Sequence, residues 1–255
     1  MKPYYKTDKT TLYNGDSLEL LKKIDEDSID LIFSDPPYFL SGDGITCQNG
    51  KMVSVNKGDW DKIDTYKEIG LFNEVWLKEC QRILKPNGTI WISGTHHNIY
   101  SVGNIMKVMG YKFLNVVTWE KPNPPPNLSC RYFTHSTEQV IWCSKNEKSK
   151  HPFNYDLMRE INGGKQMKDV WTFTSPKPNE KRYGKHPTQK PEILLERIIQ
   201  SSSSEGDLVL DPFQGSGTTG VVSKRLNRNY IGFDLEKEYL DVSIKRIKNK
   251  NNLFN

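Results

Sequence analysis

Ten residues near the C-terminal end constrain the fold more than any other stretch. Asp211-Pro-Phe-Gln-Gly-Ser-Gly-Thr-Thr-Gly220 follows a short apolar run at 207–210 and opens a helical pattern at 218–225. Glycines spaced G-x-G-x-x-G between a strand and a helix let the backbone turn sharply and approach a ligand. Nineteen residues beyond Gly215, at the end of the next strand pattern at 230–233, stands Asp234, a carboxylate placed for ribose hydroxyls. This frame predicts an α/β nucleotide-binding fold. A Walker phosphate loop is excluded, because Thr218-Thr219 occupies the place of its Lys-Ser/Thr. A nicotinamide cofactor and S-adenosylmethionine both remain. Charge favours the second, since Asp211 repels a pyrophosphate but suits an ammonium group.

The rest of the chain supports that fold. The run at 28–33 reads as a buried strand stopped by Asp35-Pro36-Pro37. Phe72, Val75, Trp76, Cys80, Ile83 and Leu84 recur at helical spacing, and Pro86-Asn87-Gly88 stops that helix. Strands follow at 89–93, 111–120 and 139–144, with a helix at about 98–109 between the first two. Pro191 is a suitable first helical residue, with Ile193, Leu194, Leu195, Ile198 and Ile199 behind it. A last helix at 238–248 carries Leu240, Ile244 and Ile247 on one face. Strands alternating with helices predict a mostly parallel sheet with helices on both faces.

With 255 residues, 35% of them hydrophobic, the chain suits one core, and a single domain over 1–255 is expected. No apolar run reaches the ~18 residues of a membrane span, and residues 1–10 are polar, so a cytoplasmic protein is expected. Cys47, Cys80, Cys130 and Cys143 lack zinc or disulfide spacing and read as buried free thiols. His96-His97 has no further ligand at metal spacing and reads as a loop after a strand; no metal is expected.

The positive charge is localised. Between Lys145 and Lys190 eleven Lys and Arg stand against five Asp and Glu, an excess of six in a chain whose net charge is +5. Tyr155, Trp171, Phe173 and Tyr183 are interleaved there, a composition suited to phosphate contact and base stacking.

The second chemical constellation is Asp35-Pro36-Pro37-Tyr38. Two prolines fix the chain at a strand's end and present the Asp35 carboxylate and the Pro36 carbonyl as rigid acceptors. Tyr38 adds a flat face. Such a turn suits an exocyclic aromatic amine, whose lone pair is delocalised until its N–H groups are held by acceptors. A base inside a duplex reaches such a pocket only by flipping out, at a cost of a few kcal/mol.

Together these two motifs resemble the amino-group DNA methyltransferases, in the β arrangement where the catalytic motif precedes the cofactor motif. His186-Pro-Thr-Gln-Lys-Pro191 and Asn14-Gly15-Asp16-Ser17 resemble further segments of that family, and the likeness spans roughly 11–245. It implies a Rossmann-like methyltransferase fold, circularly permuted, with an inserted DNA-recognition region. It implies S-adenosylmethionine as cofactor, contacted by Asp16, Ser17, Asp35, Thr188, Lys190, Asp211, Pro212, Phe213, Gly215, Ser216, Gly217, Thr218 and Asp234. Ser216 and Thr218 serve equally well as helix caps, and Lys190 suits either a carboxylate or a helix start. Catalysis falls to Asp35, Pro36, Pro37 and Tyr38.

Asp at position 35, rather than Ser, resembles the adenine-N6 members. Pro37-Tyr-Phe-Leu-Ser41, Val53-Ser-Val-Asn-Lys-Gly-Asp-Trp-Asp61, Asn127-Leu-Ser-Cys-Arg-Tyr-Phe133 and Gly164-Lys-Gln-Met-Lys-Asp-Val-Trp171 resemble the second methyltransferase of GATC-recognising restriction systems. Members reading GANTC share the layout, and cytosine-N4 transfer, an NAD-dependent oxidoreductase and a non-catalytic DNA-binding relative are the alternatives. The resemblance assigns DNA reading to a loop at 39–64 and a region at 122–185, with Arg131, Lys165 and Lys168 as candidate contacts. Duplex or single-stranded DNA, a homodimer, and a cognate endonuclease acting on the same site are the partners it suggests. Trp60, Trp91 and Trp142 read as packing residues.

Overall fold

The computed structural model describes residues 1–37, 66–184 and 186–249, with the backbone of a hairpin at 45–48 and 51–54. The parallel core of the sheet comes from both ends of the chain. β1 (Tyr5–Lys6) and β2 (Thr10–Asn14) lead into α1 (Ser17–Leu21) and β3 (Ile29–Ser34). β4 (Ile45–Gln48) and β5 (Lys51–Ser54) pair as a separate antiparallel hairpin inside the stretch 39–64, where the sequence suggests a loop. α2 (Tyr66–Ile83), β6 (Leu84–Gly94), α3 (Ile99–Val108), β7 (Lys112–Glu120) and β8 (Thr137–Ser144) follow. Then come α4 (Tyr155–Ile161), β9 (Val170–Thr172), α5 (Glu192–Ser202), β10 (Leu208–Asp211), α6 (Thr218–Arg225), β11 (Asn229–Asp234) and α7 (Lys237–Lys248).

Nine strands form one sheet in the order β1-β2-β11-β10-β3-β6-β8-β7-β9. The pairs β2–β11, β11–β10, β10–β3 and β3–β6 are parallel, so the sheet's centre joins N-terminal and C-terminal strands side by side. That is the circularly permuted α/β arrangement expected. β8 runs antiparallel between β6 and β7, and β9 lies parallel on β7 at the edge.

Strand residues alternate between two cores, as a period of two requires. Ile32, Ile90, Ile92, Ile141 and Leu210 pack with α1, α2 and α3 through Leu21, Trp76, Cys80 and Met106. Leu31, Phe33, Trp91, Val140 and Val209 face α5, α6 and α7 through Leu194, Ile198, Val222 and Leu240. Each fully buried side chain of this kind contributes about 1.5–3 kcal/mol. Trp91 and Trp142 stack within the second core at 4.6 Å and are packing residues, as expected; Trp60 lies outside the described residues.

Several local expectations are corrected. α2 stops at Ile83, three residues before Pro86, because Leu84 is already paired with Ile29; pairing resumes at Thr89 opposite Leu31, with the Pro86–Gly88 turn bulging between. Pro191 precedes α5 in an extended conformation, and Ile193 is exposed. Cys130 is exposed, unlike Cys80 and Cys143, and the Cys47 side chain lies outside the described residues. Trp171 is buried against Trp91 and Phe173 stacks on Trp119, so these two aromatics pack rather than offer stacking faces. Of the stretch 122–185, β8 belongs to the interior of the sheet and β9 to its edge, which leaves 122–136, 145–169 and 173–184 outside it. Among the described residues no helix is long and apolar enough to cross a membrane, and no cluster of His, Cys, Asp or Glu could hold a metal.

Candidate active site

Four adjacent parallel strands, β2, β11, β10 and β3, end on the same edge of the sheet. Their ends carry Asp16, Asp234, Asp211 and Asp35 in that spatial order, two C-terminal carboxylates flanked by two N-terminal ones. The carboxyl edge of an open parallel sheet is where such folds bind ligands. An open cavity of about 250 Å³ lies there. Its wall includes Asp16, Ser17, Asp35, Pro36, Pro37, Thr188, Lys190, Asp211, Pro212, Phe213, Gly215, Ser216, Thr218 and Asp234. The expected cofactor residues are therefore brought together, with Gly217 at the N-cap of α6 behind the wall; Tyr38 lies outside the described residues.

The glycine loop is shaped by close packing. Gly215 and Gly217 hold φ of +51° and +74°. A Cβ on Gly217 would lie 2.0 Å from Ser243 Oγ, and one on Gly215 would lie 2.9 Å from His186 Nε2. Neither Ser216 nor Thr218 caps α6. Arg246 Nη1, from α7, donates to Ser216 Oγ at 3.0 Å and to Thr218 Oγ1 at 2.9 Å, and Thr218 donates to the Lys190 carbonyl at 3.2 Å. Asp16 is itself a cap, accepting from Leu18 N at 2.7 Å and Glu19 N at 3.2 Å. Ser17 donates to the Pro212 carbonyl and ties the two loops together.

The cavity is electrostatically prepared for a cation. Asp211 is buried, accepts from Thr219 Oγ1 at 2.5 Å and from Phe213 N at 3.0 Å, and is nonetheless pushed up to about 7. Burial is the main cause, and the Asp35 and Asp234 carboxylates add to it. Burial likewise pushes Asp234 up to about 7, although Glu236 N donates to it at 2.9 Å. Clustered carboxylates in low dielectric resist ionising together, and a bound cation relieves both penalties. Gln214 also lines the cavity, and its Oε1 accepts from the Tyr230 hydroxyl at 3.1 Å. S-adenosylmethionine, with a sulfonium, an ammonium and a ribose, fits this donor set; a pyrophosphate does not.

The Asp35-Pro36-Pro37 turn is held at two points. Asn98 Nδ2 donates to the Pro37 carbonyl at 3.3 Å. Lys190, 6% exposed, places Nζ 2.5 Å from Asp35 Oδ2 and 3.5 Å from Glu138 Oε2. Glu138 also pairs with Lys121. Burial alone raises the Glu138 carboxyl, but the two lysines outweigh it and hold it below the ordinary value. Lys190 thus contacts the Asp35 carboxylate directly, besides lining the cavity.

Sequence reading misses Phe72, His186, Gln214, Tyr239, Lys121 and Glu138. Phe72 carries a signal that reads as core: it recurs on the buried face of α2, yet it meets Phe213 at 6.0 Å over the cavity. His186 stands in a motif already singled out and packs edge-on to Tyr239 at 4.4 Å. Arg131, Lys165 and Lys168 are exposed and do not line the cavity: Arg131 lies between β7 and β8, the lysines between α4 and β9.

This geometry sets a carboxylate-lined cavity beside a rigid Asp-Pro-Pro turn. Residues 29–245 match the DNA methylase family (N6_N4_Mtase), and the chain belongs to it. It is a DNA methyltransferase with S-adenosylmethionine as cofactor. The chain is similar to the Type II methyltransferase M2.DpnII of Streptococcus pneumoniae, with 58% identity over 251 residues, 98% of this chain and 94% of that protein. Its likeness to the Type II methyltransferase M2.LlaDCHI of Lactococcus lactis subsp. cremoris is 58% over 247 residues, 96% of this chain and 92% of that one. Among solved structures, the M1.HpyAVI–SAM complex superposes with a TM-score of 0.70 at 29% identity, covering 93% of this chain and 98% of that one.

Proposed function

We propose that this chain transfers the methyl group of S-adenosylmethionine to N6 of adenine within GATC, as one of the methyltransferases of a restriction-modification system. The observation that carries the reading is the Asp35-Pro36-Pro37 turn at the end of β3, one strand from the Asp211 loop on β10. The GATC assignment is supported by the local likeness at 37–41, 53–61, 127–133 and 164–171. The M2 names of the two relatives agree with it.

Bound at the β10–β11 side of the cavity, S-adenosylmethionine supplies an electrophilic methyl on a sulfur that leaves as a neutral thioether. Asp234 is placed for its ribose hydroxyls, and Asp211 for its cationic end. Asp35 and the Pro36 carbonyl accept hydrogen bonds from the two N–H groups of the amine, which frees the nitrogen lone pair. As the N–C bond forms, the amine proton becomes acidic and Asp35 accepts it. The work of the turn is orientation and electrostatic complementarity, with reacting atoms held at ~3–3.5 Å. Lys190 holds the Asp35 carboxylate in that pose.

The segments 122–136, 145–169 and 173–184, with the hairpin segment, form the DNA-reading region, and Arg131, Lys165 and Lys168 contact phosphates. Single-stranded DNA is a second acceptor, because it spares the cost of extruding the base. The protein acts in the cytoplasm, where its DNA lies, as a monomer or homodimer beside an endonuclease that cuts the same site. Tritiated methyl transfer to a GATC duplex and to the same duplex with its adenine replaced tests the assignment. Label confined to the GATC duplex is expected. Equal label on both would overturn GATC while keeping the activity, and no label on either, nor on GANTC or single-stranded DNA, would overturn the activity.

A further inference from the structure

The segment 121–136 joins β7 to β8 over the edge of the sheet that holds the cavity, and it is closed at its base by Lys121 N donating to the Ser136 carbonyl at 2.8 Å. It is braced internally as well. Asn127 Nδ2 donates to the Tyr132 carbonyl at 2.5 Å, and its Oδ1 accepts from Ser129 N at 3.1 Å and Ser129 Oγ at 2.7 Å. A column of rings supports it from below: Tyr132 meets His135 at 5.4 Å, and His135 stacks on His96 at 4.7 Å. His96 belongs to the turn between β6 and α3 from which Asn98 holds the Pro37 carbonyl. The column therefore stands on the same turn that fixes the catalytic motif.

At the top of this braced segment Phe133 is 96% exposed, more than any other large apolar side chain among the described residues. Tyr132, at 61%, and Arg131 flank it in solvent. A scattered surface phenylalanine needs no explanation, but this one sits on a fixed support beside a base-binding turn. Apolar side chains are inserted between base steps by proteins that distort a duplex, and an aromatic ring regains about 1–3 kcal/mol for each base that stacks on it. Arg131, next but one in sequence, is a cation for the adjoining phosphates.

We propose that Phe133 enters the duplex at the step the target adenine leaves and stacks on its orphaned neighbours, so that duplex DNA is what covers it. The inference rests on the reading of this chain as a base-flipping adenine methyltransferase. Phe133→Ala and Phe133→Trp are compared with the wild type on two duplexes, one with the GATC adenine paired and one with it opposite an abasic site. Fluorescence of 2-aminopurine at the target position reports extrusion directly. The alanine variant is expected to lose at least about tenfold in kcat/KM on the paired duplex and most of the fluorescence rise. On the abasic duplex, where extrusion is cheap, it should stay within about threefold of wild type. Tryptophan should retain activity on both. An alanine variant equal to wild type on the paired duplex, or equally impaired on both, would overturn the wedge. A wild type inactive on both duplexes would instead overturn the GATC reading, and the wedge at this site with it.

Discussion

Lys190 Nζ lies 2.5 Å from Asp35 Oδ2, which ties the segment leading into α5 to the residue after β3 across 155 positions of sequence. The ammonium is shared with Glu138 at 3.5 Å, and Glu138 is shared in turn with Lys121. Two cations and two carboxylates thus alternate in a nearly buried row that ends on Asp35. Removing one member of such a row leaves an unpaired buried charge, which typically costs about 3–5 kcal/mol.

Lys190→Met should therefore lower stability by about 3 kcal/mol and kcat by roughly a hundredfold, because Asp35 then faces Glu138 without a cation between them. Chemical denaturation and single-turnover methylation check the two effects separately. Glu138→Gln should lower kcat by about tenfold while leaving the S-adenosylmethionine Kd unchanged, since Glu138 does not line the cavity. Pairing it with Lys121→Met, which removes the stranded cation, should restore most of the loss. A double variant no better than the single would mean that Glu138 acts through packing alone.

Cofactor affinity should depend on pH near neutrality. Asp211 and Asp234 sit near 7 in the folded, ligand-free chain, against an ordinary value of 3.8. Between those limits the folded state holds more protons than the unfolded chain. Their contribution to stability is therefore full at low pH and is lost as pH rises toward 7. A cationic ligand favours the ionised carboxylates, so binding releases protons and the Kd should fall by up to about tenfold per pH unit between 6 and 7, levelling above. Calorimetry in buffers of different ionisation heat measures that release directly. Asp211→Asn should reduce it.

Gly217→Ala should be among the most damaging single changes in the cofactor loop. Its Cβ would fall 2.0 Å from Ser243 Oγ, and the φ of +74° adds strain of about 1–2 kcal/mol for a residue bearing a Cβ. The combination with Ser243→Gly should recover the steric part and leave the backbone part. Thermal denaturation of the three variants separates the two contributions.

Phe72→Ala should weaken S-adenosylmethionine binding by about five- to tenfold without altering kcat, because Phe72 and Phe213 together wall one side of the cavity. A double cycle with Phe213→Ala, read by equilibrium binding, should show the two losses to be less than additive.

Motifs contiguous in the chain are legible from the letters alone. The glycine loop needs small residues at fixed spacing, and the Asp-Pro-Pro turn needs rigidity, so both declare themselves within a few positions. Their adjacency follows from the permuted order of the strands. What stays hidden depends on contacts between distant strands and helices. Nothing near Glu138 or Lys121 announces that β7 and β8 deliver them behind Asp35. Ser216 and Thr218 suit helix caps equally well in sequence, and only the reach of Arg246 from α7 decides against that role. Phe72 resembles a core residue because helical spacing records a buried face and not what that face covers. The same blindness makes Trp171 and Phe173 look available to bases.

The most direct test of the account is nucleoside analysis of a GATC duplex after incubation with S-adenosylmethionine and either the wild type or Asp35→Ala. N6-methyladenine from the wild type, and none from a variant that still binds S-adenosylmethionine, is the predicted result. N4-methylcytosine as the product, or N6-methyladenine made equally well without the Asp35 carboxylate, would contradict it.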